Sequence, residues 1–310
     1  MTMKTNLELV NCCDNGKSAY PEPNTLYQFL IDGYQSPFGH LIDKVADRFS
    51  WGEDWVVDHS ARTVTLMGGD KLSRRNEIMH RTLISEREMG TFKDLQGWTN
   101  ELFPVYGPNK ELVVSIERAA APLFGVLTYG VQLLAYQETP EGNISGVWIA
   151  RRAKTKRTYP GMLDSTVGGC LPTGESPFEC LIRECAEEAS FSADLVRKHA
   201  VAVGAVSYVG ISDERGGGEL GLLCPEVQFI YEMKLPDDVV PVPGENEVEE
   251  IKLFSVEELK DALGRGEFTP ANGCIILDFF VRHGIITFET EPNYIEIVVR
   301  LHRRHDLLTA

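Results

Sequence analysis

The stretch GCLPTGESPFECLIRECAEEASF, residues 169–191, decides how this sequence is interpreted. It predicts a helix over about 177–190, because Ser176 is a good N-cap residue and Pro177 suits the first helical position. Glu179 stands three residues after Ser176, which is the spacing of a capping box. Apolar residues then recur at intervals of three and four, which predicts one buried stripe made of Phe178, Leu181, Ile182, Cys185 and Ala189.

Carboxylates occupy a different face of the same helix. Glu184, Glu187 and Glu188 stand at i, i+3 and i+4, where like charges repel by roughly 0.2–0.5 kcal/mol per pair. Hard oxygen ligands suit Mg²⁺ or Mn²⁺, and either ion also bridges the phosphate oxygens of a diphosphate. Arg183 has a planar fork that orients a carboxylate. Glu175, just before the helix, can bind the metal directly or through water. The plain alternative for these residues is a solvated acidic face.

The full spacing, G-x5-E-x7-R-E-U-x-E-E with U apolar, resembles the Nudix box, the signature of hydrolases that act on nucleoside diphosphates linked to another moiety. Ser190 differs from the box, which has Gly there, and Ser is less comfortable in a left-handed cap. The resemblance implies an α+β or α/β fold, a Nudix α/β/α sandwich with a mixed sheet. It also implies Mg²⁺ as cofactor, for which Mn²⁺ substitutes, and a metal site made of Glu175, Glu184, Glu187, Glu188 and Gly169. The catalytic residues that it implies are Arg183, Glu187, Glu188 and Glu247.

Segments outside the box resemble the Nudix branch related to thiamine pyrophosphokinase, among them ERAAAPLFGVLTYGVQLLAY (117–136) and GEFTPANGCIILDFFVRHGIIT (266–287). In that branch an N-terminal domain of uncharacterised function precedes the Nudix domain. The pattern of this sequence also changes near residue 117, where a loop leads into a long apolar strand. We therefore predict a smaller α+β domain of unknown role over 1–118 and a Nudix hydrolase domain over 119–310, with the chemistry confined to the second domain.

The same resemblance implies a substrate class. It is thiamine diphosphate and its oxidised or damaged analogues, oxothiamine and oxythiamine diphosphate, which are cleaved to the monophosphate plus phosphate in metabolite repair. Glu247 keeps the place of a further metal ligand or general base in this branch. Its neighbours Glu245 and Asn246 differ from the D-G-E-V of the relatives, which weakens that assignment.

Basic residues lie between a predicted strand and the box. Arg151, Arg152 and Lys156 are predicted to bind the diphosphate, because cationic donors form strong hydrogen bonds with phosphate, and a solvated surface turn is an equal alternative. A second basic run, RLHRRH at 300–305, is predicted to be a solvated helix end. The Gly-rich run 216–221 opens no helix and is predicted to be a plain loop.

The rest of the chain carries ordinary secondary-structure patterns. One strand followed by a turn into a helix is predicted over 27–41, two strands around a tight turn over 55–67, and a helix over 72–89. The turn-rich stretch 154–176 leads into the box helix, and two helices are predicted at 255–266 and about 271–282. Two strand aromatics, Trp148 and Tyr208, are predicted to be core residues, with stacking on a substrate ring as the alternative.

Composition excludes several classes of protein. Of the 310 residues, 46 are Asp or Glu and 30 are Lys or Arg, so the formal net charge is −16, which argues against a nucleic-acid polymer as partner. No apolar run is long enough for a membrane span, and the first residues lack the apolar region of a secretory signal. Seven Cys without a CxxC pair predict a reducing, cytoplasmic location and no zinc site. The expected partner is a small diphosphate, bound by a monomer or homodimer.

Three alternatives stay open from sequence. The first is a pyrophosphatase for nucleotide-linked diphosphates such as ADP-ribose or oxidised nucleotides. The second is an isoprenyl diphosphate isomerase, although that enzyme needs a catalytic Cys in a strand before its Nudix-like helix and residues 117–152 contain none. The third is a non-catalytic Nudix-fold binding module. Such modules typically lose box carboxylates, and this sequence has kept all of them.

Overall fold

The computed structural model describes residues 3–16, 25–244, 247–305 and 307. The first described helix, α1 (Asn6–Cys13), begins with a capping box between Thr5 and Glu8. Its apolar residues Leu9 and Val10 are buried in a core formed mainly by residues after 133. None of the described helices is both long and apolar enough to cross a membrane.

Residues 25–126, which we call the N-terminal half, form an α+β unit. Its mixed sheet has the strand order β2-β1-β4-β3 in the described chain. The elements in chain order are β1 (Tyr27–Ile31), β2 (Gly39–Leu41), α2 (Asp43–Arg48), β3 (Trp55–Asp58), β4 (Thr63–Leu66), α3 (Leu72–Met89), β5 (Leu102–Tyr106), β6 (Leu112–Glu117) and α4 (Ala121–Phe124). Aromatic side chains fill its core, where the rings of Phe29 and Phe124 lie 5.1 Å apart.

Residues 127–305, the C-terminal half, form a three-layered sandwich. The elements are β7 (Thr128–Glu138), β8 (Ile144–Arg152), β9 (Leu163–Asp164), β10 (Val167–Cys170), α5 (Pro177–Ala189), α6 (Ala193–His199), β11 (Ala200–Ile211), β12 (Leu223–Lys234), β13 (Val248–Phe254), α7 (Val256–Arg265), α8 (Pro270–Arg282) and α9 (Tyr294–Leu301). The sheet order is β11-β12-β7-β8-β13, with β10 on β7 and β9 on β8. Only β12 and β7 run parallel among these pairs, so the described sheet is mixed.

Both faces of this sheet are covered by helices. Val131 and Leu133 on β7 belong to the core that includes α5 and α6, whereas Leu134 belongs to the core with α1, α7, α8 and α9. A strand buried on both faces reads as a nearly continuous apolar run, which is how β7 appears in the sequence. The predicted α/β/α sandwich with a mixed sheet, preceded by an α+β unit, is confirmed.

Several local predictions need correction. The helix at 72–89 and the hairpin at 55–67 are confirmed. Residues 27–41, however, contain two strands instead of one. The stretch predicted as turns contains β9 and β10, which pair with longer neighbouring strands and need little propensity of their own.

The basic run at 300–305 is not a solvated helix end. Arg300 Nε lies 3.1 Å from Asp14 Oδ2, and Arg303 Nε lies 2.5 Å from Asp14 Oδ1. Asp14 is only 2% exposed, and its Oδ1 also accepts a hydrogen bond from the backbone N of Val209. The carboxylate just after α1 therefore fixes the segment that follows α9, and sequence position gives no hint of a pairing over this distance.

Candidate active site

Helix α5 is fixed at both ends by its own sequence. Ser176 Oγ accepts a hydrogen bond from the backbone N of Glu179 at 3.4 Å, as predicted for an N-cap. The reciprocal half of the predicted capping box is wrong, because the Glu179 carboxylate binds both terminal nitrogens of Arg197 at 2.9 and 2.8 Å. Ser190 ends the helix in the left-handed region, with φ 55° and ψ 28°, where the box has Gly.

Two glycines of β10 allow the carboxylates of α5 to reach the sheet edge. Glu188 Oε2 accepts a hydrogen bond from the backbone N of Gly168 at 2.9 Å. Glu184 packs directly on Gly169, where an added Cβ would lie 2.2 Å from the Glu184 side-chain carbons. Glycine at 169 therefore makes the space that the Glu184 carboxylate occupies.

Arg183 holds the predicted acidic residues together. Its Nε and Nη2 bind the two oxygens of Glu175 at 3.2 and 3.0 Å. Its Nη1 lies 2.9 Å from Glu184 Oε1 and 3.2 Å from Glu187 Oε2. The hydrogen bond that Arg183 donates to Glu175 is the largest cause that raises the pKa of Arg183. Arg183 thus touches three of the predicted metal ligands and positions them.

The acidic side chains fit a divalent cation. Burial raises the pKa of Glu184 to about 7 and that of Glu188 to about 8, so their charges are costly without a positive partner. Within the described chain, no three His, Cys, Asp or Glu side chains are already grouped as a metal centre, and Arg183 lies among three of the carboxylates. Carboxylate and carbonyl oxygens are hard donors that suit Mg²⁺ or Mn²⁺. The residues that would hold the ion are Glu175, Glu184, Glu187, Glu188 and Gly169.

Glu247 lies close enough to this cluster to contribute to the raised pKa values of Glu184 and Glu188. The segment before it is fixed to the end of α5, because the backbone N of Gly244 donates to the carbonyl of Glu188 at 2.9 Å. Glu247 Oε2 lies 2.7 Å from Lys156 Nζ, and its side chain is 55% exposed. Glu245 and Asn246 lie outside the described residues. They are the two residues that differ from the D-G-E-V pattern.

A cleft of about 860 Å³ opens beside the acidic cluster. Of the three predicted diphosphate-binding residues, Arg152 and Lys156 line it. Arg151 does not, because it binds Glu250 Oε1 at 3.0 Å and the carbonyl of Gly161 at 2.9 Å. The predicted plain loop at 216–221 opens no long helix and borders the same cleft through Gly216 and Gly218. Trp148 packs in the core with α5, as predicted, whereas Tyr208 is buried and also lines the cleft.

The N-terminal half also contributes to this cleft, which corrects the expectation that the site is confined to the second domain. Arg118, at the end of β6, lines the cleft and binds Glu101 Oε2 at 2.8 Å. The neighbouring Arg157, next to the predicted Lys156, lines it too. Sequence reasoning missed both arginines. Membership of the basic run around Lys156 could have identified Arg157, whereas nothing around Arg118 marks it in the sequence.

Gly169→Ala tests the space under Glu184. The added methyl meets the far end of a flexible side chain, so we expect the fold to survive while Glu184 is displaced. A displacement of this order lowers kcat/KM by roughly 10²-fold. Gly52→Ala is the matched control, because an added Cβ there meets no described atom within 4 Å. Initial rates and melting temperatures of both variants check the prediction, and wild-type rates for Gly169→Ala would contradict it.

A pair of carboxylates joins the two halves at the rim of the cleft. Asp94 Oδ2 accepts a hydrogen bond from the backbone N of Glu219 at 2.6 Å, and Glu219 accepts from the backbone N of Lys93 at 3.1 Å and of Asp94 at 3.2 Å. Burial and the nearby Glu219 raise the pKa of Asp94 to about 6, although Arg157 opposes this. For Glu219 burial is outweighed by hydrogen bonds and by Arg48, so its pKa is lowered.

This pair predicts a pH-dependent stability. The pKa of Asp94 in the folded chain, about 6, lies above its ordinary value of 3.8. Protonation of Asp94 therefore stabilises the folded state fully below pH 3.8, and this stabilisation is lost as the pH rises through about 6. Asp94→Asn cannot titrate. When the pH is lowered from 7 to 5, we expect the free energy of unfolding of wild type to rise by roughly 1 kcal/mol relative to that of Asp94→Asn. Urea denaturation of both proteins at the two pH values measures this, and an equal difference at both would contradict it.

Comparisons with known proteins agree with this architecture. The Nudix domain profile matches residues 129–272, and that of a domain of unknown function, DUF4743, matches residues 6–128. The chain is 35% identical to the uncharacterized protein YJR142W of Saccharomyces cerevisiae over 256 residues, which are 81% of this chain and 74% of that protein.

Two relatives come from Arabidopsis thaliana. Nudix hydrolase 20, chloroplastic, is 39% identical over 303 residues, which are 96% of this chain and 77% of that protein. Nudix hydrolase 24, chloroplastic, is 31% identical over 299 residues, which are 95% of this chain and 77% of that protein. With its Nudix box in place on α5 and its similarity to these enzymes along most of its length, the chain belongs to the Nudix hydrolase family and is a pyrophosphohydrolase.

Proposed function

We propose that this protein is a Mg²⁺-dependent diphosphohydrolase that cleaves thiamine diphosphate, or its oxidised and damaged analogues, to the monophosphate plus phosphate. The observation that carries the proposal is one cleft with the acidic cluster of α5 on one side and cationic side chains from both halves around it. Nudix hydrolases generally use divalent ions such as Mg²⁺ or Mn²⁺. The choice of thiamine compounds is supported by the sequence segments outside the box.

The residues of this chain divide the work. Arg183 and Glu175 hold Glu184 and Glu187 in place, and the N–H of Gly168 fixes Glu188. When bound, the divalent cation supplies a water of lowered pKa and neutralises charge on the phosphates.

Cationic side chains around the cleft would bind the phosphate oxygens that the divalent cation does not, and charge-assisted hydrogen bonds to phosphate are strong. Arg152 lines the cleft, where it is held by Asp164 Oδ2, 2.6 Å from its Nη1, and by the carbonyl of Thr158, 3.0 Å from its Nη2. Lys156 binds Glu247 at the cleft, and in this proposal the Glu247 carboxylate takes a proton from water. Glu247 is our candidate general base, and Arg118 and Arg157 add positive charge from the rim.

A substrate panel tests the proposal. Release of the monophosphate would be measured with Mg²⁺ for thiamine, oxothiamine and oxythiamine diphosphates, and for ADP-ribose and an oxidised nucleoside diphosphate. We expect the best thiamine compound to exceed both nucleotides at least tenfold in kcat/KM. The reverse order would replace the proposal by a nucleotide pyrophosphatase, and no turnover with either Mg²⁺ or Mn²⁺ would indicate a binding module. The cytoplasmic location and the oligomeric state stay predictions.

A further inference from the structure

A row of hydrogen-bonded polar side chains crosses the sheet on the floor of the cleft. Tyr208 on β11 donates from its hydroxyl to Glu226 Oε2 on β12 at 2.6 Å. Gln228 Nε2, two residues further along β12, donates to the same oxygen at 2.9 Å. Gln132 Nε2 on β7 donates to Gln228 Oε1 at 3.2 Å. We call these four residues the polar row, and all of them line the cleft.

The carboxylate of Glu226 sets the direction of the row. Glu226 Oε2 accepts from Gln228 Nε2, so Gln228 turns its NH₂ group toward Glu226 and its oxygen toward Gln132. Gln132 must then donate from its own NH₂ group, which leaves its oxygen on the far side. The orientation of both amides therefore follows from the network as a whole.

This arrangement leaves two acceptors unused. Gln132 is 8% exposed, and its buried Oε1 has no hydrogen-bond partner among the described residues. Both hydrogen bonds to the Glu226 carboxylate use Oε2, and the Oε1 of this half-buried side chain accepts none from the described chain. Buried polar atoms in native proteins are rarely left without a partner. The buried, unpartnered oxygen of Gln132, in the same row as an open carboxylate oxygen of Glu226, points to a ligand that brings the donors.

We propose that the polar row is the subsite for the organic part of the substrate, and that it takes a nitrogen heterocycle whose N–H groups donate to Glu226 Oε1 and Gln132 Oε1. This inference rests on the proposed function, because it places the scissile diphosphate at α5. It assigns two residues outside the Nudix box to the recognition of the group attached to the diphosphate.

The spacing of the strands supports this placement. β10 and β12 flank β7, so Glu226 is two strand spacings, roughly 10 Å, or more from Gly168, whose N–H binds Glu188. Gln132 lies between them, since an added Cβ at Gly168 would be 2.5 Å from Gln132 Oε1. A diphosphate beside α5 and a ring on the polar row are therefore parts of one molecule of modest size in one cleft.

Glu226→Gln tests the subsite directly. The new amide keeps an oxygen for Tyr208 and Gln228 but replaces Oε1 by an NH₂ group, which opposes an N–H donor from the ligand. We expect KM for the best heterocyclic diphosphate to rise at least tenfold, with kcat within threefold of wild type. Methyl diphosphate, which carries the phosphates without a ring, should inhibit wild type and variant with Ki values within twofold.

A second variant and a control complete the experiment. Gln132→Met removes the unpartnered oxygen at similar length, and we expect KM to rise three- to tenfold. Glu138→Gln makes the same chemical change as Glu226→Gln, but on β7 outside the cleft beside Lys234, and should leave KM unchanged. Melting temperatures show whether each variant is folded.

The outcomes separate this inference from the proposed function. An unchanged KM in both Glu226→Gln and Gln132→Met, or an equal loss of methyl diphosphate binding in Glu226→Gln, would overturn the subsite. If ADP-ribose is the better substrate, the proposal of a thiamine substrate fails. The KM values of wild type and the two variants, measured with ADP-ribose, then still decide whether the polar row binds the heterocycle. Calorimetric binding of the corresponding monophosphate gives the comparison without turnover.

Discussion

Glu188→Gln should lower kcat/KM for diphosphate hydrolysis by roughly 10³-fold or more and leave the free energy of unfolding nearly unchanged. The amide oxygen of the variant still accepts the hydrogen bond that Glu188 Oε2 takes from Gly168 N, so the contact between α5 and β10 is kept. What is lost is the negative charge, which strengthens the binding of a divalent cation. Phosphate release with saturating Mg²⁺, together with urea denaturation, measures both quantities.

The matched control lies on the same helix. Glu179→Gln makes the same chemical change one turn after the N-cap, where the carboxylate binds Arg197 at the surface. We expect its rates to stay within twofold of wild type. Turnover by Glu188→Gln at the wild-type level would rule out the carboxylate set of α5 as the reaction centre, and an equal loss in the Glu179 variant would indicate a general effect on the helix.

Asp14→Ala should lower the free energy of unfolding by about 3 kcal/mol, the low end for a broken buried ion pair. The low end applies because Arg300 and Arg303 keep side-chain exposures of 20% and 23% and regain part of their hydration. The variant also leaves the backbone N of Val209 without its carboxylate acceptor. Urea denaturation monitored by circular dichroism measures the change.

Asp213→Ala is the control for this prediction. Asp213 binds Arg215 at 2.6 Å, but both side chains are largely exposed, and a surface pair contributes at most about 1 kcal/mol. A loss for Asp14→Ala no greater than that of the control would show that the segment after α9 is held by its apolar contacts alone.

The sequence predicts well those elements whose defining residues lie close together in the chain. A cap, a period of three to four residues and fixed carboxylate intervals all lie within the 23 residues of 169–191, and α5 forms there as expected. The same holds for α3, whose apolar periodicity needs no distant partner. Arg183 could be assigned to the carboxylates for this reason, since most of its partners are within one or two turns.

The residues that were missed depend on distant pairing. Arg118 reaches the cleft only because the end of β6 is packed against the C-terminal half, and Asp14 meets Arg303 across 289 residues of sequence. The polar row had one usable signal. Gln132 interrupts the apolar run GVQLLAY of β7, and a polar side chain inside a buried strand needs a partner. Its partners, however, come from β12, which could not be aligned with β7 in advance.

The position of α1 has a consequence for how the chain folds during synthesis. Leu9 and Val10 are buried against residues of α8 and α9, which leave the ribosome long after α1. Until then the apolar side of α1 has no native surface to cover it. The C-terminal half therefore closes in a late step of high contact order, in which two segments far apart in the sequence meet.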